Sequence, residues 1–347
     1  GRVGVITVAV VAEVAAGRVA GEGAAAGVAV AVAVAVGVVG GARAQVDAAL
    51  ALPEIDEITV DFLEVHGLKQ ACEAIRDAGR RLVVAAPRIF KPGEQRLWRY
   101  LCRLQPDGLL IRSSGLMQEL IQRGGAGTVI DDDGTVIPRL HIDFSLNAAN
   151  VLSTDYLMNC GVERLTMTHD LNAAQLAHLA RAMPLPQRDR LEVVAHQHLP
   201  IFHTEYCVFA RYLSSGNSFR DCGRPCEHHR LHVRDPSGGD HLVQADIGCR
   251  NTVFNALAQT AAAALDGLID SGIRHFRIEL VDEPANEVAG VVRAYRDLMS
   301  GALDLLSVQR QLDRVQDANG RCQGSAEGSL AVRLEVPRKR MKKPTAR

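Results

Sequence analysis

Four cysteines stand in one stretch of the chain with spacing that suits a shared inorganic centre. Asp221-Cys222-Gly223-Arg224-Pro225-Cys226 is a Cys-x3-Cys loop. Its Gly permits a left-handed turn and its Pro fixes the return, so two thiolates can face one point. Cys207 precedes the pair by fifteen residues and Cys249 follows it by twenty-three, so all four are able to converge from separate loops. Thiolates are soft ligands, and four of them suit Zn2+ or an iron–sulfur cluster; the spacing does not choose between the two. Cys72, Cys102, Cys160 and Cys322 lack such company and are expected to behave as ordinary thiols, Cys72 on an apolar helix stripe.

Histidine is crowded into the same stretch, with seven of twelve between His196 and His241. His196-Gln197-His198 follows a strand and puts both imidazoles on one face, the arrangement of a metal-dependent hydrolase; the alternative is that a polar loop region collects histidines without ligating anything. Two carboxylates stand out as catalytic candidates. Glu205 precedes Cys207 by two residues, and Glu279 lies inside an otherwise apolar strand, where it needs a cationic partner. Arg277 shares its strand face and is the expected partner, so Glu279 and Arg277 are either a structural pair or part of an active site. Asp131-Asp132-Asp133-Gly134 is expected to be a solvated turn. The chain has no His-Glu-x-x-His, Gly-x-Ser-x-Gly or strand-linked Gly-x-Gly-x-x-Gly, so zincin, serine-hydrolase and dinucleotide readings lack support.

The elements that would position these groups alternate. Apolar strand-like runs at 58–62, 82–86, 109–111, 141–144, 164–167, 191–195 and 276–280 are separated by helical stretches. Examples are Leu68 to Ala78, with Leu68, Ala71, Cys72 and Ile75 on one stripe, and a stretch with Leu97, Tyr100, Leu101 and Leu104 on another. Such alternation means parallel strands with right-handed crossovers. The Ala-Val run at 28–36 alternates with period two and supplies an eighth strand, so the expected fold is an α/β, (β/α)8 TIM-like barrel, with an open doubly wound sheet as the alternative. The rhythm breaks once, between Val194 and Phe276. Connections in such folds run ~2–6 residues, so this Cys/His-rich stretch, about 196–275, is expected to be a functional insertion at the C-terminal end of a strand.

Composition bounds the rest. At 347 residues with 47% hydrophobic and 23% charged residues, the chain can bury a large core and makes one large domain with appendages. The expected division is a low-complexity Ala/Val/Gly segment at 1–45, a barrel at 46–300 and an extension at 301–347. A net charge of −1 excludes a uniformly basic nucleic-acid coat, and 4% aromatics excludes a broad stacking surface. Residues 23–42 are uncharged, but they hold only Ala, Val and Gly and alternate as a strand does, so no membrane span is expected. Eight cysteines in this length fit a reducing, cytoplasmic setting. The basic run Arg338-Lys339-Arg340-Met341-Lys342-Lys343 is a solvated end or an RNA-phosphate contact.

Several stretches together resemble the peptidase U32 family, the collagenase-like peptidases. They are His203-Thr204-Glu205-Tyr206-Cys207-Val208-Phe209, the Cys222–Cys226 loop, Asp246-Ile247-Gly248-Cys249-Arg250-Asn251-Thr252, Phe276-Arg277-Ile278-Glu279-Leu280, Glu54-Ile55-Asp56-Glu57 and Lys91-Pro92-Gly93-Glu94. The likeness runs roughly from Gln45 to Gly301 and is nearest to the second module of long family members. It implies a [4Fe–4S] cluster on Cys207, Cys222, Cys226 and Cys249 and oxygen-independent hydroxylation of a ribosomal or transfer RNA base or a quinone ring, with a prephenate-type oxygen donor for the RNA enzymes. The family's name implies instead a peptidase. A third expectation is a non-catalytic module that binds RNA or a partner. The chain departs from many relatives at Ser215-Gly216-Asn217-Ser218, where they carry a thiol, so a different cysteine completes the four. The N-terminal stretch does not match and, with Gly1, suggests a fragment or an aberrant start, with a first strand that is then incomplete.

Overall fold

The structure is a computed structural model that describes residues 4–14, 28–38, 42–62, 67–216, 218–246, 248–322 and 324–332, the first two segments by backbone course alone. The basic run at 338–343 lies outside the described residues.

The β-branched, apolar runs of the sequence form the strands of one strongly curled, half-barrel sheet in a mixed α/β fold. After β1 (Gly4–Val14) and β2 (Val28–Val38) come α1 (Ala42–Leu50), β3 (Ile55–Phe62), α2 (Leu68–Asp77), β4 (Arg81–Ala85), α3 (Gln95–Arg103), β5 (Gly108–Ile111) and α4 (Ser114–Gln122). The alternation continues through β6 (Arg139–Ile142), α5 (Val151–Asn159), β7 (Arg164–Thr166), α6 (Ala173–Ala182), α7 (Leu185–Arg188) and β8 (Leu191–Thr204). Then follow α8 (Val208–Leu213), β9 (Leu231–Arg234), β10 (Asp240–Asp246), β11 (Arg250–Thr260), α9 (Leu265–Asp270), β12 (His275–Leu280), α10 (Ala285–Ser300), α11 (Leu305–Leu312) and β13 (Ser325–Ala326). Strands β2 to β8 pair in sequence order, each parallel to the next, and β12 pairs in parallel with β8 on one side and β2 on the other.

Helices cover the outer face of the sheet because each carries one apolar stripe. On α2 the buried side chains are Leu68, Ala71, Cys72 and Ile75. They join one continuous core with Ile58, Val60, Leu82, Val84, Leu109 and Ile111 from the strands. Burying a Leu or Ile side chain contributes roughly 1.5–3 kcal/mol, so this shared layer fixes which strand face turns inward. Helix starts are marked by capping boxes at Asn150 and Asn172, whose side chains accept from the amides of Ser153 and Gln175.

Four local expectations change. The stripe of α3 is rotated: Trp98, Leu101 and Cys102 are buried, while Leu97 and Tyr100 are only half-buried. The indole, with more apolar area than Leu97, takes the core position, and the Arg99 and Arg123 guanidinium groups lie near its ring. The strand expected at 141–144 ends at Ile142, because the Asp143 carboxylate accepts from the Phe144 amide and opens a short 3-10 turn. The strand expected at 191–195 runs on to Thr204, paired antiparallel with β11. Its Pro200 sits opposite Phe254, where the register shifts, a place at which a missing N–H is tolerated. Finally, a second N-terminal strand, β1, pairs antiparallel with β2.

The segment beyond Thr204 builds an antiparallel extension, β8-β11-β10-β9. Phe209, Val243 and Val253 form a small core of their own there, apart from the main one.

Candidate functional site

Strands β3 to β7 and β12 deliver polar residues at or near their C-terminal ends, where the outward apolar face gives way to the interior. Asp61 closes β3, Arg88 follows β4, Arg112 follows β5, Asp143 and Phe144 follow β6, His169 follows β7, and Arg277 and Glu279 lie on β12. Side chains alternate along a strand, so the residues flanking the core-facing Val60, Ile111, Ile142 and Ile278 face the interior.

These groups form a layer of ion pairs. The Arg277 guanidinium reaches Asp143 at 2.5 Å and Glu192 at 3.2 Å, and its Nε lies 2.9 Å from Glu279, off the N–H axis. Arg112 bonds Asp61 and reaches Asp143 at 3.1 Å. A deeper layer pairs Arg164 with Glu57 at 2.5 and 3.2 Å and with Glu192 at 3.4 Å. Buried charges are tolerable only when paired and hydrogen-bonded, and Arg suits the role because its fork serves two carboxylates at once.

The layer divides its protons unequally. Burial works to raise the Asp143 carboxyl, but Arg277, Arg112 and Arg88 outweigh it and hold Asp143 well below the usual carboxylate range. Burial raises Glu279, and the Asp143 charge adds to it despite Arg277. Asp143 is therefore the fixed anion and Glu279 the group that holds a proton more readily. Burial, with Arg277 and Arg88 nearby, lowers His169 to about 3, so its imidazole is neutral.

The rim joins three of the stretches singled out in the sequence. Glu205 bonds Lys91 and accepts from Arg250 Nε at 3.0 Å, while Arg250 also donates to Glu94 at 2.8 Å. The Lys91 hydrogen bond is the main cause that lowers the Glu205 pKa. Glu205 thus stands at the exposed edge of the mouth, away from Glu279 and Arg277 inside it.

Of the four cysteines, Cys207 and Cys226 pack half-buried against the Phe209, Val243 and Val253 cluster. Cys207 starts α8, and its Sγ accepts from the Ala210 amide at 3.4 Å; Cys222 Sγ accepts from the Arg224 amide at the same distance. Asn251 ties the loop after Cys207 to the loop after Cys249, its Oδ1 accepting from the Val208 amide at 2.6 Å. Cys249 takes a left-handed backbone, φ 64°, after Gly248 at φ 86°, a turn that costs a non-Gly residue and persists only where its surroundings hold it. Half-buried thiols with amide donors at sulfur are chemistry that fits a thiolate-held centre. Among the described residues, no three His, Cys, Asp or Glu side chains are gathered around one point as a ready metal group. Cys72 and Cys102 lie in the main core, where burial pushes both thiols up to about 12.

His196 and His198 serve another cluster. Both turn Nε2 to the same Glu283 oxygen, at 3.1 and 3.2 Å. Nδ1 of His198 meets the Asn255 carbonyl at 2.8 Å, and Nδ1 of His196 lies 3.2 Å from the Tyr295 hydroxyl. All four ring nitrogens are engaged, so neither imidazole has a free lone pair for a metal in this arrangement. Against the opposing effect of burial, Glu283 raises His198 to about 9. The ion pair is a buried strut between β8 and the turn before α10.

Arg88, Arg112, Asp143, Phe144, His169 and Glu283 escaped the sequence reading. A signal existed for the first three. Arg112 and Asp143 each follow an apolar strand directly, and Arg88 follows one after Ala86-Pro87.

A family model described as peptidase family U32 matches residues 59–321. No curated protein matches the chain. A solved structure titled as a U32 peptidase is similar at 11% identity and a TM-score of 0.30, over 40% of this chain and 55% of that one, so this chain spans little more than half its length.

Proposed function

Because the chain belongs to peptidase family U32, we propose that it is an iron–sulfur enzyme that hydroxylates an RNA base, ribosomal or transfer, or a similar aromatic ring without molecular oxygen. The supporting observation is the pairing of a charged mouth with a thiol-bearing segment whose loops Asn251 links. Cys207, Cys222, Cys226 and Cys249 would hold a [4Fe–4S] cluster, which supplies one-electron chemistry when bound. Zinc on the same thiolates is the alternative occupant. The fold behind this reading is a (β/α)8 barrel, supported by β12 pairing with both β8 and β2, with the segment near 196–275 as its insertion. A reducing, cytoplasmic compartment suits such thiols.

The chain's own residues would act on substrate at the mouth. Glu279, whose proton affinity burial raises, stands beside an Arg277 that three carboxylates keep in place. The Lys91–Glu205–Arg250–Glu94 rim fixes the entrance, and the oxygen comes from a prephenate-type donor. One observation favours a second reading, hydrolysis by a peptidase: Asp143 and Glu279 flank one guanidinium with proton affinities driven in opposite directions, as an acid and base require.

Anaerobic purification followed by iron, sulfide and zinc analysis tests the proposal. Iron with matching sulfide is expected, together with loss of one RNA modification in cells lacking the gene. Zinc alone would sink the hydroxylase and leave hydrolysis or a thiolate-stapled binding module.

A further inference from the structure

Arg88 stands out among the charges of the mouth. Arg88 is half-buried, and the other arginines of the interior each hold carboxylates: Arg112 has Asp61 and Asp143, Arg164 has Glu57 and Glu192, and Arg277 has Asp143, Glu192 and Glu279. Arg88 has no hydrogen-bond acceptor or ion-pair partner among the described residues. Its guanidinium carbon lies 4.9 Å from the centre of the Phe144 ring. The carboxylates closest to it, Asp61, Asp143 and Glu279, are engaged by Arg112 and Arg277. Desolvation and the Arg112 charge act against the Arg88 cation, and Asp143, Glu279 and Asp61 offset them only in part, without an ion-pair contact to it. A cation held without a counter-ion is costly, and an arriving anion relieves that cost.

A neutral donor stands on the same aromatic ring. His169 stacks on Phe144 with centroids 3.8 Å apart. Its Nδ1 lies 3.3 Å from Gln197 Nε2, an amide nitrogen that can only donate. The amide orientation is fixed in turn by Gln259, whose Oε1 lies 3.4 Å from the same Nε2. Nδ1 of His169 is therefore the acceptor, and the neutral ring carries its proton on Nε2. That Nε2 is buried and has no hydrogen-bond partner among the described residues. Nearby, His203 leaves its own Nε2 buried and unpartnered, with Nδ1 on the Thr252 hydroxyl at 2.8 Å.

We propose that Arg88 and the Nε2–H of His169, both set against Phe144, form an oxyanion-binding pocket that takes a carboxylate or phosphate group of a ligand at the mouth of the strands. The guanidinium supplies charge and a two-pronged donor face, the imidazole supplies one directed N–H, and the Phe144 ring fixes both. The pocket deepens the reading of the mouth as the substrate site, and it does not depend on a metal on the cysteines. Its test therefore scores binding, without iron or turnover.

The full chain is titrated calorimetrically at low salt with benzoate, inorganic phosphate and adenosine 5′-monophosphate as separate probes. Saturable one-to-one binding of at least one probe is expected, weakened roughly 10-fold or more by Arg88→Gln, since a charge-assisted contact is lost. Binding of benzoate alone identifies a small carboxylate as the source; binding of the two phosphates identifies a phosphoester. Arg88→Lys, which keeps the charge but not the fork, guards against a folding defect and should bind with intermediate affinity. No saturable binding by the wild-type chain, or equal affinity in a folded Arg88→Gln chain, overturns the pocket. Iron analysis on the same preparation is scored separately, so failure of the cluster and failure of the pocket are told apart.

Discussion

The strand-end interior and the cysteine-bearing segment carry the two kinds of chemistry in this molecule, and they are built in opposite ways. In the interior, Arg277, Arg112, Asp143 and Glu192 are locked by one another before any ligand arrives. In the segment, the thiols of Cys207, Cys222, Cys226 and Cys249 are half-buried, near a small cluster in which Phe209, Val243 and Val253 are the buried apolar side chains among the described residues. Large exposed side chains such as Tyr212, 76% exposed, and Phe219, 61% exposed, flank them. The interior draws its geometry from the main core; the segment has little of its own and would gain order from what its thiols bind.

Removing a locked charge should break this contrast most severely. Arg277→Ala takes the ion-pair partner from Glu279 and one of two guanidinium partners from Asp143 and from Glu192, and should cost ~3–5 kcal/mol in urea unfolding. A loss below ~1 kcal/mol would mean that water already reaches those carboxylates.

The His198–Glu283 strut sharpens the comparison through pH. The folded-state pKa of His198 is raised from 6.5 to about 9, so the protonated ring favours the folded state. Its contribution is complete below pH 6.5 and is lost as pH rises through 9. Unfolding free energy should fall across that window by on the order of 3 kcal/mol, and His198→Gln should flatten the slope. An unchanged slope in that variant would assign the transition to another group.

The smallest effect is expected in the segment. Cys222→Ser in metal-free protein should shift stability by less than about 0.5 kcal/mol, because the thiol is half-buried and supports little packing. The same substitution should abolish retention of iron after anaerobic reconstitution. A large stability loss without metal would show that Cys222 is part of a packed core after all.

Much of the fold was legible because it rests on local periodicity. The α2 stripe of Leu68, Ala71, Cys72 and Ile75 could be counted off directly, and so could the apolar runs of β4 and β5. Misreadings came where two local signals competed. In α3, Leu97 and Trp98 both favoured the core, and only the neighbouring surface decided for the indole. In β8, the apolar run stops at Ala195, where polar residues begin, whereas pairing with β11 carries the strand on to Thr204, past Pro200 at a register shift. The site was legible in part. Arg277 and Glu279 declared themselves as charges within an apolar strand, whereas Arg88 shows in the sequence only as a charge that follows one. Its missing counter-ion is a statement about Arg112, Asp61 and Asp143, none of which is near it in sequence.

By itself the sequence determined the strand–helix order, the stripes that face the core, and the four thiols with the spacing to meet. These follow from repeats of two and 3.6 residues and from ligand chemistry, both written in neighbouring positions. Tertiary structure alone decided which charges satisfy one another: Arg277 on Asp143, both imidazoles on Glu283, and Arg88 on none of the described carboxylates. Proton affinity and binding depend on distance and burial, and those exist only once residues more than a hundred positions apart, such as Asp143 and Arg277, lie side by side.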